Sequence, residues 1–436
     1  MAAEVERADD GLAGLGSAAD DLASVIGVLR RERAHTRPEL ARQAQLGRNI
    51  VSDKLALASR LGLVEVAGTI PGARGRAPER WRFRSEAGFV LSACLGAASV
   101  QVGITDAQGT LLDSSKFEWP ISRGPEATLL RIDEEFRRLV GDRAAEDVWG
   151  VGVGLPGPVD TGSGRPVEPP IMPGWDGFDV RGWFSSRWQA GTWVDNDVNA
   201  MARGHRTVHP ELDDFIFVKV GTGIGAGLYS NGRLHRGTAG AAGDVGHVRV
   251  SDRTDVICRC GRIGCLEAFA SGWALARDAT TAAVEGRSPW LRARLKERGE
   301  IAPADVGEGS RLGDAVCVEL EGRSAAILGN VLAVLVNVFN PREIVIGGGV
   351  VGSASLYLPV VSRAIEERCN RLAARDLTIA EGRHDESEGV VGCAEMVLDA
   401  LLSGPFLATW AGLGRPYGVD AIWRRSVQER PGVLAS

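Results

Sequence analysis

Residues 258–267 read Cys258-Arg259-Cys260-Gly261-Arg262-Ile263-Gly264-Cys265-Leu266-Glu267, with His247 a short way upstream. One imidazole and three thiolates complete the tetrahedral shell of a zinc ion, and short cysteine spacings with turn glycines bring the sulfurs together. With all four positions supplied by protein, the expected site is closed and structural. The competing reading is a set of buried free thiols beside an unrelated histidine, but buried cysteines seldom crowd so tightly. Seven cysteines is an odd count, and in a reducing compartment such a cluster favours metal over disulfide.

Outward from this segment the pattern is α/β. Gly88 to Thr105 reads as a β-hairpin turning at Gly96, followed by a helix from about Glu126 to Val140 and a buried strand, Val148–Gly154. Thr192–Asp195 is a short strand, and Phe215–Val220 with Gly225–Ser230 form a hairpin around Gly-Thr-Gly-Ile-Gly. Leu328–Phe339 reads as a buried helix, and Glu343–Ile346 as a strand ending in Gly347-Gly348-Gly349. Strands with glycine turns, interleaved with helices, predict two lobes facing a cleft. Val194-Asp195-Asn196-Asp197-Val198-Asn199-Ala200 falls where a strand hands over to a helix. A carboxylate there can act as a general base, or Asn196 and Asp197 can hold a sugar's hydroxyls, or the pair can simply cap the helix. The polar, charged stretch Trp290–Gly309 suggests no function.

With 436 residues the chain exceeds one compact core, so two or three domains are expected. An apolar fraction of 44% and a charged fraction of 24% exclude collagen-like, low-complexity and largely disordered classes. The longest strongly apolar run, Val331–Val336, is too short for a bilayer, and the acidic opening MAAEVERADD lacks the order of a signal peptide. A cytoplasmic protein with no membrane partner is the expectation.

Charge is unevenly spread. Residues 21–84 hold thirteen Lys and Arg against six Asp and Glu, whereas the whole chain has a net charge of −6. A basic unit before an acidic body is the arrangement of a DNA-binding head, although a solvated basic surface has the same composition. Residues 1–20 show no periodicity and read as a disordered arm. Leu22, Val25, Ile26 and Leu29 then give a helical stripe ending near Arg33. Within it Arg30, Arg31 and Arg33 form a charge run whose plain reading is a solvated face. Thr36 as N-cap, with Pro38 and Glu39 behind it, opens a second helix through Gln45. A third helix runs from about Arg48 to Arg60 and stops at Gly62. Strands at Leu63–Val66 and Trp81–Arg84 flank a Gly/Pro/Arg loop, which completes a winged helix-turn-helix over 21–87. A helical hairpin packed against a partner is the alternative. The DNA-contacting candidates are Arg48, Asn49, Ser52 and Lys54 on the third helix, and Arg74 and Arg76 at the wing tip.

Six motifs occur in order: Gly154–Asp160 (GLPGPVD), Asp195–Ala200 (DNDVNA), Gly221–Gly225 (GTGIG), Gly240–His247 (GAAGDVGH), Cys258–Glu267, and Asn340–Gly349 (NPREIVIGGG). Together they closely resemble the ROK family of sugar-responsive repressors, open reading frames and sugar kinases, over roughly residues 88–404. The resemblance implies a two-lobed, actin-like fold of duplicated ribonuclease-H type with a sugar in the cleft. It places lobe 1 at 88–198 plus about 389–404, lobe 2 at 199–388, and a C-terminal tail at 405–436. It also implies sugar ligands at Asn196, Asp197, Asp244, His247 and Glu267. The metal ligands would be His247, Cys258, Cys260 and Cys265, with His247 serving both zinc and sugar. Asp244 stands where the family usually has Glu, one methylene longer.

Kinases of that family carry a phosphate loop of the form Asp-x-Gly-Gly-Thr-Lys. The corresponding segment here is Cys94-Leu95-Gly96-Ala97-Ala98-Ser99, in which only Gly96 is kept. Phosphoryl transfer rests on positioning and charge neutralisation, so losing this loop should be close to fatal. The expected function is a kinase-inactive transcriptional repressor in the bacterial cytoplasm, held at the nucleoid by its operator and answering a sugar or sugar phosphate. Its two-fold operator implies a homodimer or homotetramer. The alternatives are an active sugar kinase with a fused DNA-binding head, in which Asp197 is the catalytic base, and a regulator that no longer binds sugar.

Overall fold

The computed structural model of the chain describes residues 18–31, 34–69, 77–353, 356–382, 387–414 and 416. Arg74 and Arg76 lie outside the described residues, as does most of the stretch read as an N-terminal arm. The head begins with a helix at residues 18–31 (α1), a two-residue strand His35–Thr36 (β1), and helices Arg37–Gln43 (α2) and Arg48–Arg60 (α3). Strands Val64–Thr69 (β2) and Glu79–Phe83 (β3) follow, in an antiparallel sheet ordered β1-β3-β2. The start of α2 is held locally: the Glu39 carboxylate accepts from the Thr36 N–H at 2.7 Å and its hydroxyl at 2.9 Å.

Lobe 1 comprises strands Phe89–Leu95 (β4), Ser99–Asp106 (β5) and Leu111–Glu118 (β6), helix Pro125–Val140 (α4) and strand Val148–Leu155 (β7). A small ribbon, Val159–Asp160 (β8) with Arg165–Pro166 (β9), leads to helix Val180–Trp188 (α5) and strand Gly191–Asn196 (β10). After helix Asp197–Val208 (α6), lobe 2 opens with strands Phe215–Val220 (β11), Ile224–Ser230 (β12) and Arg233–His235 (β13). Helices Glu267–Ala270 (α7), Gly272–Val284 (α8), Pro289–Arg298 (α9), Pro303–Arg311 (α10) and Ala315–Phe339 (α11) then precede strand Glu343–Gly347 (β14). Helices Tyr357–Arg368 (α12) and Arg371–Ala374 (α13) and strand Thr378–Glu381 (β15) complete that lobe, and helices Ser387–Leu401 (α14) and Gly404–Leu413 (α15) return to lobe 1.

The two large sheets share one plan. Lobe 1 is ordered β10-β7-β4-β5-β6 and lobe 2 β13-β12-β11-β14-β15. In each, the first three strands form an antiparallel meander and the last two add parallel to the first strand. This repeated topology is the duplicated, actin-like architecture expected from the motifs. Strand β7 alternates Val or Trp with Gly150, Gly152 and Gly154, and its bare face lies against α14: a Cβ on Gly152 would sit 2.2 Å from the Cys393 carbonyl oxygen. The alternation read as a buried strand is therefore also a seat for a helix.

Several expectations shift. The buried helix read at Leu328–Phe339 begins at Ala315, because Glu319, Glu321 and Arg323 interrupt the apolar run without breaking the helical period. Among the described residues this helix is long and apolar enough to cross a membrane. Here it buries Leu320, Leu328, Leu332 and Val336 in the lobe 2 core. The polar stretch Trp290–Gly309 forms most of α9 and α10. Helix α15 occupies the beginning of the stretch read as a tail, with Leu407 and Trp410 buried. Arg30 is not a solvated charge: it is 14% exposed and pairs with Glu395 at 2.5 Å. Nor does the head own a separate core. Leu22, Ile26, Leu40, Val51 and Leu55 belong to one apolar cluster with Val90, Trp149, Trp193, Val397 and Trp410.

Candidate functional site

The cleft between the lobes is lined from both sides and opens to solvent. The loop after β7 contributes Pro156–Val159, the start of α6 contributes Asn196 and Asp197, and the β11–β12 turn contributes Gly221–Gly225. The loop 240–244, His247 and Glu267 close the far wall. All five residues expected to hold a sugar thus come together, although they are spread over some seventy positions of sequence.

Their individual geometries differ. Asn196 caps α6: its Oδ1 accepts from the Val198 N–H at 2.9 Å, and its Nδ2 donates to the Gly157 carbonyl at 3.1 Å. Both the capping and the cleft-lining readings are thus realised in one residue. Asp197 is almost fully buried; one carboxylate oxygen accepts from the Val198 N–H at 2.9 Å and the other from Lys219 Nζ at 2.5 Å. Glu267 opens α7, accepting from the Ile224 N–H at 3.2 Å and from Arg259 at 3.4 Å. Asp244 is the exception. It is half exposed, and its Oδ1 stands 3.9 Å from His247 Nε2.

His247 is oriented in two directions. Its Nδ1 lies 3.8 Å from Cys258 Sγ, while its Nε2 points to Asp244 and the cleft. The donor atoms of His247, Cys258, Cys260 and Cys265 all lie within 4.8 Å of one another. Tetrahedral zinc with Zn–S bonds near 2.3 Å separates its sulfurs by about 3.8 Å, and Cys260 Sγ and Cys265 Sγ are 3.7 Å apart. The quartet therefore fits a zinc ion. Burial pushes the Cys258 thiol up to about 12 and raises Cys265 as well, so a bound cation would be needed to keep these sulfurs as thiolates at neutral pH.

Four cleft residues escape a reading of the sequence. Lys219, alone in the otherwise apolar strand Phe-Ile-Phe-Val-Lys-Val, neutralises Asp197. Arg259, stacked over Trp273 at 4.9 Å, holds Glu267 and also donates to the Thr222 carbonyl at 3.0 Å. Buried Asp195 accepts two bonds from Arg236, at 2.5 and 3.1 Å, which tie the loop after β13 to the end of β10. A charge inside a buried strand is the one signal that could have flagged Lys219; Arg259 depends on the folding of lobe 2 alone, and the Asp195–Arg236 pair on the meeting of the two lobes.

The segment 94–99 supplies no charged side chain to the cleft. Cys94 lies against α14, where a Cβ on Gly389 would meet its sulfur at 2.6 Å, and Ala97 lines the cleft. On the head, Arg48, Asn49 and Ser52 are exposed along the first turns of α3, and Lys54 is half-buried. Ser52 Oγ is partly committed, donating to the Arg48 carbonyl at 3.0 Å.

Comparison with known proteins agrees with this geometry. The model of the ROK family matches residues 91–400. The xylose repressor of Caldicellulosiruptor bescii is 27% identical over 85% of this chain and 93% of its own length. A glucokinase of Halalkalibacterium halodurans is 28% identical over 62% of this chain and 83% of its own. The crystal structure of a ROK family transcriptional regulator, a homologue of the E. coli MLC protein, superposes with a TM-score of 0.77 at 23% identity, covering 91% of this chain and all of that one.

Proposed function

The chain belongs to the ROK family, and from that premise we propose that it is a sugar-responsive DNA-binding transcriptional regulator, repressing in sign, that does not phosphorylate its ligand. The observation that carries the proposal is a contrast within the cleft. The sugar-holding set Asn196, Asp197, His247 and Glu267 is assembled, while the segment 94–99, where a kinase needs an acid and a phosphate-cradling loop, offers a packed thiol and alanines. Lys219 adds to the contrast. Its ammonium holds the Asp197 carboxylate in place as a charged hydrogen-bond acceptor, an arrangement suited to receiving a sugar hydroxyl.

The relatives support the same division. The similarity to the xylose repressor spans 85% of this chain, whereas two glucokinases match 62% and 70% of it. Arg48, Asn49, Ser52 and Lys54 would meet the major groove and Arg74 and Arg76 the minor groove, as a homodimer or homotetramer on a two-fold operator. His247, Cys258, Cys260 and Cys265 would hold a structural zinc, which fixes the His247 ring so that Nε2 faces the ligand. Asp244, half exposed and short, would reach that ligand through water.

The test is a thermal-shift panel of pentoses, hexoses and their phosphates, beginning with D-xylose and D-glucose, run beside an ATP-consumption assay. A sugar-dependent shift without ATP consumption is expected. Sugar-dependent ATP consumption would establish instead the kinase reading, in which Asp197 is the base; that reading is favoured by the retained Asp197, Gly221–Gly225 and Gly347–Gly349 and by the similarity to glucokinases. No shift with any sugar, alongside intact DNA binding, would mean a regulator that has lost its ligand.

A further inference from the structure

Two helices carry the cleft toward the head. Helix α6 begins at the cleft with Asn196 and Asp197, and α14 packs along it so closely that backbones touch: a Cβ on Gly392 would lie 1.7 Å from the Ala200 carbonyl oxygen, and one on Gly204 1.9 Å from that of Glu388. Interdigitation this tight leaves no room for one helix to slide on the other, so the pair moves as a unit. At its far end the pair meets α1 through charge. Arg203 of α6 pairs with Asp399 of α14; Asp399 also stands 4.0 Å from Arg30 of α1, and Arg30 pairs with Glu395 of α14 at 2.5 Å. Arg30, Arg203 and Glu395 are all less than 15% exposed at their side chains, so these charges are held by one another and are little screened by solvent. The Arg30 carbonyl further accepts from Gln108 of lobe 1 at 2.9 Å, which fixes the end of α1.

The outer side of α1 is committed as well. Leu22, Val25, Ile26 and Leu29 share an apolar cluster with Val51 and Leu55 of α3, the helix expected to face DNA. Among the described residues Arg30 Nε is buried without a hydrogen-bond partner, so the guanidinium has unused capacity for a second arrangement with Asp399.

We propose that the Arg203–Asp399–Arg30–Glu395 cluster transmits occupancy of the cleft to the DNA-binding head: a sugar held at Asp197 shifts the α6–α14 pair, Arg30 exchanges its carboxylate partners, and α1 re-aims α3. This rests on the regulator reading above and adds the route. Coupling needs an element with two discrete arrangements that both sites bias, and an arginine between two carboxylates of one helix is such an element.

The experiment uses the full chain, a DNA duplex selected from a random pool by the wild type, and whichever of D-xylose, D-glucose or their phosphates shifts the wild type's melting. Arg30→Gln should keep sugar affinity and sugar-free DNA affinity within about threefold. The ratio of DNA affinities without and with sugar should fall about tenfold toward one. Exchanging the charges, Arg30→Glu with Glu395→Arg, should restore part of that ratio. An Arg30→Gln protein with the wild-type ratio overturns the relay while leaving the regulator standing; a wild type whose DNA binding ignores every sugar overturns both. A measurement without substitutions guards against misfolded variants: hydrogen exchange of residues 18–31 in the wild type should change on sugar binding, and unchanged protection there would equally refute the relay.

Discussion

Replacing Asp197 by Asn tests the cleft most directly. The Val198 N–H bond, 2.9 Å to Oδ1, survives because an amide oxygen can still accept it. The second position, 2.5 Å from Lys219 Nζ, then becomes the amide NH2, a donor that faces the ammonium and can no longer accept. A sugar hydroxyl seated here thereby loses a charge-assisted acceptor, worth about 1.5–3 kcal/mol. At about 1.4 kcal/mol per tenfold, sugar affinity should fall roughly ten- to hundredfold. Calorimetry on wild type and variant measures it, with DNA binding in the absence of sugar as the control expected to stay unchanged. The variant would be a regulator deaf to its inducer. A sugar affinity within twofold of wild type would refute the assignment of Asp197 as a ligand. Wild-type ATP turnover abolished by the same substitution, with sugar affinity retained, would refute the choice of regulator over kinase.

Metal analysis should find about one zinc per chain, and Cys260→Ser should lose it and melt several degrees lower, since binding energy at a closed site is folding energy; a metal-free wild type would exclude the site. Arg48→Glu should weaken DNA binding and flatten its dependence on salt by at least one unit of log–log slope, and if it and Arg76→Glu both bind as wild type the placement of the head on DNA is wrong. Gly392→Ala places a methyl against the Ala200 carbonyl and should cost about 1–3 kcal/mol in chemical denaturation, whereas unchanged stability would show that α6 and α14 can part. Lys219→Met should leave a buried carboxylate without its cation and weaken sugar binding, read by the same calorimetry as Asp197→Asn.

What was legible in the sequence was what local chemistry dictates. Helix α3 starts after Gly47 and closes at Arg60 as its flanking glycines suggest, and the gathering of three thiols beside His247 is written in the spacing of Cys258, Cys260 and Cys265. The ordered motifs pointed to the fold because several sit at its fixed joints: Gly221–Gly225 makes the β11–β12 turn, and Asn340–Gly349 carries β14. Partners made only by closure were not legible. Nothing near Arg236 announces Asp195, and nothing near Arg30 announces Glu395; a surface arginine and a buried one look alike until a helix from the other end of the chain covers them. The same applies to the head, whose three helices read as self-sufficient until Trp149 and Trp410, stacked edge to face at 4.9 Å, turn out to belong to its core.

That shared core sets an order of assembly. The apolar face of α1 leaves the ribosome long before α14 and α15, which supply Val397, Leu401, Leu407 and Trp410 to its seat. A nascent chain therefore carries Leu22, Val25, Ile26 and Leu29 incompletely covered until synthesis has passed residue 413. Fragments that stop short would neither present α3 correctly nor hold the sensor's last helix.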